Sequence, residues 1–211
     1  MGALSSGGGL PSEYQEVEYI ESTGTQYINT NFYVNSTNID KIRLYVDEQL
    51  TTNQNSRWLL TGSSSFGQNA IYVGIGNPYI YYGVGNDVNT VVYVSDYTKR
   101  YVYDLDVKNS TYKVLDYQNN NYIVNLTSLV ENLENFSSNG LPLWLMGYSG
   151  EDSIHSSKLF SGKVYENDIL QRDLVPCYRK VGGEIGMYDL VNDIFYTNAG
   201  TGTFRKGADV N

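Results

Sequence analysis

The stretch "AIYVGIGNPYIYYGVG" (residues 70–85) sets the pattern for the whole chain. Two short runs of Ile, Val, Tyr and Gly flank an Asn-Pro pair and read as strands joined through "GNP" into a hairpin. The same grammar recurs on either side. "IDKIRLYVD" (residues 39–47) alternates, with Ile42, Leu44 and Val46 on one face and Lys41, Arg43 and Tyr45 on the other. "RWLLTG", "RYVYDLDVKN", "TYKVLDY", "NYIVNL", "LPLWLMGY", "SKLFSGKVYEND" and "ILQRDLVPCYR" follow suit, and "IGMYDLVNDIFYT" predicts a last hairpin turning at Asn192-Asp193. Regular short strands between turn signals imply a sandwich or barrel. One interruption, "LTSLVENLENFSSNG" (residues 126–140), pairs Ser128 with Glu131 as a capping box and sets Leu129, Leu133 and Phe136 on one helical face. It predicts a single short helix or helical turn. The chain therefore reads as an all-β, two-sheet antiparallel sandwich with at most one short helix.

Composition narrows the function. The 211 residues are enough for one domain with a proper core, 21 of them are Tyr, and only 18% are charged. A net charge of −9 repels phosphate backbones and anionic lipid, and "YRK" (residues 178–180) is too small a basic patch to reverse that. Neither nucleic acid nor membrane is expected as a partner, and no apolar run approaches the ~20 residues of a membrane span. The one cysteine, Cys177 in "DLVPCY", excludes an internal disulfide and reads as a buried, inert thiol. The one histidine, His155, sits in the polar run "GEDSIHSSK" and excludes a multi-His metal site.

Three segments are expected. Residues 1–12, "MGALSSGGGLPS", form a Gly/Ser arm without a secretory signal and with too little apolar surface to order itself. A neighbouring subunit would hold it, through Gly2, Leu4, Gly7 and Leu10, in a homo-oligomer or larger assembly. Residues 13–207 form the sandwich and residues 208–211 a tail.

Three pieces together carry a resemblance: "EYIESTGTQYINT" near the start, "SKLFSGKVYENDILQRDLVPCYRKVGGEIGMYDLVNDIFY" later, and "TNAGTGTF" near the end. Over residues 14–205 the chain resembles the concanavalin A-like, LamG-type jelly-roll modules common in surface and virus-encoded proteins of gut bacteria and their phages, most specifically in its C-terminal third. The resemblance implies two stacked antiparallel sheets, with a concave face or loop rim that contacts glycans in some members. Others are structural or adhesive, so the fold does not by itself decide function. Within this frame Pro176 falls where a strand ladder is interrupted, Tyr188, Leu190, Ile194 and Tyr196 can pack inward, and Phe204 returns beside the first strand.

Glycosidases of this fold carry spaced carboxylates on one strand, and "EVEYIE" (Glu16, Glu18, Glu21) fits that pattern loosely. Glu16 and Glu18 share a face, but they precede a turn on what should be a peripheral strand. They read as charges that deter edge pairing, and no catalytic residue is assigned. "GNDVN" (residues 85–89) and "GEDS" (residues 150–153) offer oxygen ligands for calcium but read as polar turns, so no cofactor is expected. The candidate glycan contacts are the aromatics Trp58, Tyr79, Tyr81 and Tyr148 with the hydroxyl-fixing Asn77, Asn86 and Asp87. Tyr82 falls on the opposite face from Tyr79 and Tyr81, and Trp144 reads as core.

Two functions stay open. The leading expectation is a non-catalytic phage virion protein, decorating a capsid or tail. It would be attached by its N-terminal arm to other virion or surface proteins, with its sandwich displayed to host or mucosal glycans. The alternative is a carbohydrate-binding module of a bacterial cell-surface protein, with residues 1–9 a cloning remnant. A glycosidase ranks third.

Overall fold

The structure, a computed structural model, describes residues 9–52, 57–61, 70–76, 79–86, 89–131, 133, 136, 142–147 and 155–211, with the backbone alone for residues 57–61 and 70. Its strands, in chain order, are β1 (Tyr14–Glu16), β2 (Ile20–Thr23), β3 (Ile28–Tyr33), β4 (Ile42–Leu50), β5 (Arg57–Thr61), β6 (Ala70–Gly76), β7 (Tyr79–Gly85), β8 (Asn89–Tyr93) and β9 (Arg100–Asp106). Then come β10 (Thr111–Asp116), β11 (Asn121–Leu126), β12 (Pro142–Leu145), β13 (Ser156–Glu166), β14 (Ile169–Arg179), β15 (Ile185–Asp189), β16 (Ile194–Thr197) and β17 (Arg205–Lys206). They form two antiparallel sheets. The larger runs β11-β10-β9-β4-β13-β14-β15-β16, and the smaller β3-β12-β5-β6-β7-β8. Alternation places Ile42, Leu44 and Val46 of β4 in one core with Ile71, Val73 and Ile75 of β6 and Ile80 and Val84 of β7. Each such side chain contributes ~1.5–3 kcal/mol by burial.

Three hairpins use one turn chemistry, D-x-x-N followed by a residue with positive φ. Asp106 accepts hydrogen bonds from Asn109 N (3.0 Å) and Nδ2 (2.9 Å), and Asp116 accepts the same pair from Asn119 at 3.2 and 2.8 Å. Asp189 accepts from Val191 N (3.1 Å) and Asn192 Nδ2 (2.7 Å). Ser110, Asn120 and Asp193 then take φ of 54°, 50° and 57°. The carboxylate stands in for a backbone acceptor while Asn and Asp tolerate the left-handed step.

Both ends of the described chain enter a fork in the large sheet. β13 and β14 pair through Gly162↔Leu174 and then part. β2 takes the freed edge of β13, from Ser156↔Thr23 to Leu159↔Ile20, and β1 takes the freed edge of β14 from Glu16↔Cys177. Pro176 sits at this handover, where its missing N–H costs no ladder bond and its carbonyl accepts from Val17 N (3.0 Å). β17 then pairs with β2, and Val17 bridges Asp209. The Glu16–Glu21 stretch is therefore interior to the sheet and not a bare edge.

The expected helix over residues 126–140 falls partly outside the described residues, at 132, 134, 135 and 137–140. Of those described, Leu129–Glu131 are not helical: Leu129 N donates to Ser110 Oγ and Val130 N to Tyr82 Oη, both at 2.9 Å, so distant hydroxyls hold this segment as a strap. Phe136 N donates to Leu133 O at 3.1 Å across one turn. Phe136 is nonetheless buried in the core. Among the described residues the regular helical element is one 3-10 turn at Ile39–Lys41. In the last hairpin the pairs Met187↔Tyr196 and Tyr188↔Phe195 alternate faces. Met187 and Tyr196 join the core, Tyr188 and Phe195 pack on Tyr14 (4.9 and 5.0 Å between rings), and Ile194 is 44% exposed.

Candidate functional site

At one end of the sandwich the chain leaves β8, crosses from the small sheet to the large one, and enters β9. Beside this crossing lies a cleft of about 390 Å³ whose side chains include Tyr93, Asp96, Lys99, Asp116, Asn121 and Tyr122. Tyr93 closes β8 and is 63% exposed, while Tyr122 on the outermost strand of the large sheet is 58% exposed. Two open tyrosine faces thus flank a polar floor.

The floor is built rigidly. Asp96 Oδ1 accepts from Thr98 N (3.0 Å) and Oγ1 (2.7 Å), closing the turn. Those bonds hold the Asp96 carboxyl below the usual range. The buried Tyr101 hydroxyl donates to Asp96 O (2.9 Å), and burial, reinforced by Asp116 and Asp96, pushes its phenol up to about 12. Burial alone would raise Asp116, but the bonds from Asn119 and from Lys99 Nζ (3.4 Å) outweigh it and hold the carboxyl low. Both carboxylates are charged at neutral pH.

Of the residues singled out from sequence, Tyr79 belongs to this region. It pairs directly with Tyr93, the rings stand edge to face at 6.0 Å, and it is 43% exposed, so it continues the aromatic surface. Tyr81 does not: it is 7% exposed, with its hydroxyl donating to Ile75 O at 3.4 Å. Tyr82 faces the core. Asn86 follows the far end of β7, about 23 Å from Tyr79 at strand rise, so the two do not converge. Trp58 lies on β5 with its side chain outside the described residues, as do Asn77, Asp87, Tyr148, Gly2, Leu4, Gly7 and the "GEDS" turn. Leu10 is described and half-buried. Trp144 stands out of the core, stacked on Tyr27 at 4.0 Å.

The other features are structural. Glu16 and Glu18 flank buried Val17, where the C-terminal segment crosses: Val210 N donates to Glu16 O and Glu18 N to Ala208 O. Among the described residues no group of three or more His, Cys, Asp or Glu could hold a metal ion. His155, expected in a polar loop, is buried and bonds Glu48. A second cleft, about 490 Å³, is lined by the backbone of Gly182, Gly183, Gly200 and Gly202 with Thr197 and Asn198. Asn198 is already committed there, accepting from Tyr27 N and Gly200 N and donating to Gly202 O. It ties "STGTQY" to "NAGTGTF". No exposed aromatic face opens on it among its lining residues.

Tyr93, Asp96, Lys99, Asp116, Asn121 and Tyr122 were missed in the sequence. For Tyr122 the reason is a bulge: Val114 pairs Val124 but Leu115 pairs Tyr122, leaving Ile123 extra. Strict alternation from buried Val124 would send Tyr122 inward; the bulge re-aims it. The "NNNY" run was the available signal, an aromatic directly after a turn.

No family model and no curated protein sequence matches the chain. Solved structures do. A candidate carbohydrate-binding protein from Bacteroides ovatus ATCC 8483 superposes with TM-score 0.57 at 14% identity, over 93% of this chain and 62% of that one. The chain thus spans about three-fifths of that protein's length. The CBM40 of Ruminococcus gnavus IT-sialidase, bound to α2,3-sialyllactose, gives TM-score 0.46 at 14% identity, over 75% of this chain and 92% of that one. Domains LG4-5 of the mouse laminin α1 chain give 0.40 at 10%, over 83% and 49%. The likeness to these two is looser, and the first carries the comparison. With the sheet order above, it shows the fold: a two-sheet antiparallel jelly-roll sandwich.

Proposed function

We propose that the protein is a non-catalytic carbohydrate-binding module of a bacterial surface protein, taking its glycan in the cleft between Tyr93 and Tyr122. The observation that carries this reading is the pairing of two exposed tyrosine faces with a fixed floor of Asp96, Lys99, Asp116 and Asn121. Binding sites combine apolar or aromatic walls with a few placed polar groups, and sugars present both apolar faces and hydroxyls. Tyr79 extends the wall and would contact a further residue of a longer chain. The likeness to the B. ovatus candidate carbohydrate-binding protein supports the same reading. Residues 13–207 would act as the module, with residues 1–12 as an arm and residues 208–211 as a tail laid along β1. Attachment to a phage particle through that arm rests on Gly2, Leu4 and Gly7, outside the described residues, so the surface-module reading is the one with a site behind it.

The test is binding of the purified protein to an immobilised glycan panel, with Tyr93→Ala and Tyr122→Ala beside it. Loss of retained glycans in both variants, at unchanged melting temperature, supports the assignment. Undiminished binding in both would place recognition elsewhere.

A further inference from the structure

Resting on that reading, we infer that the cleft selects uncharged glycans and discriminates against sialylated and uronate-bearing ones. The charged side chains lining it are Asp96, Lys99 and Asp116. Lys99 Nζ lies 3.4 Å from Asp116 Oδ2, so the one cation of the lining is already paired with a carboxylate of the same wall. Asp96 is exposed and forms no ion pair among the described residues; Lys99 acts on it only through space, and its bonds from Thr98 both fall on Oδ1. The cleft therefore presents a net negative charge to whatever enters, on a molecule of net charge −9. A hexose hydroxyl can donate to such a carboxylate, giving a charge-assisted bond. A glycan carboxylate must instead approach a like charge with no arginine fork to receive it.

The expected size is modest but readable. Like charges about 4 Å apart in water repel by ~1 kcal/mol, which is about fivefold in Kd. The term is screened by salt, since the cleft is open.

Calorimetric titration of the intact protein with lactose, N-acetyllactosamine and xylotetraose, against sialyllactose and a glucuronic acid-substituted xylotetraose, tests this. At least one neutral sugar should bind about fivefold or more tighter than its acidic counterpart, with the gap narrowing as salt rises. Asp96→Asn keeps the Oδ1 acceptor for Thr98 and removes the charge. It should bring the acidic sugar closer to the neutral one at unchanged melting temperature. An acidic sugar bound as tightly as its neutral partner, or tighter, overturns the inference and leaves the carbohydrate reading standing. So does a preference that Asp96→Asn does not move. Failure of every sugar on this list and on the immobilised panel would overturn both.

Discussion

Glu48 Oε1 and His155 Nε2 lie 2.8 Å apart inside the sandwich, and both side chains are almost wholly shielded from solvent. Glu48 occupies a core-facing position of β4, in register with Ile42, Leu44 and Val46. Its Oε2 and the Nδ1 of His155 have no hydrogen-bond partner among the described residues. Removing one member of a buried pair strands the other, so Glu48→Ala should cost about 3–5 kcal/mol. Replacing both with apolar residues of similar volume, Glu48→Met with His155→Leu, should be close to neutral or stabilising. Urea midpoints of the three proteins decide this; a double variant less stable than the single one would contradict it.

Arg100 makes a two-point contact with Asp47, Nε to Oδ1 at 2.7 Å and Nη2 to Oδ2 at 2.6 Å. Its guanidinium also lies 3.7 Å from the Tyr117 ring centre and 3.6 Å from that of Phe160. A lysine can reproduce neither the fork nor the stacked plane. Arg100→Lys should lower stability by roughly 1–2 kcal/mol. Equal midpoints for variant and parent would show the stack to be inert.

Alkaline pH should unfold the protein early. Burial raises the phenols of Tyr103 and Tyr112 well above 10 and that of Tyr101 to about 12. Between the unfolded value near 10 and these folded values, the unfolded chain releases protons that the folded state keeps. Stability is then intact below pH 10 and falls as pH rises beyond it. Phenolate absorbance should accordingly rise in two stages, exposed tyrosines first and these three only with loss of structure.

Cys177 is fully buried, and that burial pushes its thiol up to about 12. The thiolate is the reactive form, so a disulfide reagent at pH 8 should leave the native protein untouched and label it at the unfolding rate. Rapid labelling of native protein would mean the β14 region opens locally.

Gly200 approaches the backbone so closely that an added Cβ would meet Thr25 O at 2.1 Å. Gly200→Ala must push apart the loops that Asn198 and Gln26 join, where Gln26 Nε2 donates to Thr201 O at 3.2 Å. A loss of about 2 kcal/mol or more is expected, a magnitude reserved for backbone strain and core disruption. Calorimetric melting gives the answer directly.

The strands were legible because alternation and turn chemistry are local properties. Ile42, Leu44 and Val46 announce a half-buried strand whatever their neighbours do, and Asp106 needs only Asn109, three residues on, to close its turn. What escaped depends on partners far away in sequence. His155 finds Glu48 107 residues earlier, and the amide of Val130 finds Tyr82 48 residues earlier, which overrode the capping signal at Ser128. The cleft was hidden for the same reason, since Tyr93 and Tyr122 line it from strands of two different sheets. Tyr81 failed as a ligand contact because its outward face is covered, which alternation cannot report.

The fork between β13 and β14 has a consequence for how the protein is made. Tyr14–Thr23 leaves the ribosome well before its partners, which lie within Ser156–Lys206. Pairing over such separations is slow, and until it happens the nascent β1–β2 region offers unsatisfied backbone to any passing strand. Completion of the large sheet is thereby deferred until Arg205–Lys206 has emerged, which makes this short segment the natural client of a chaperone.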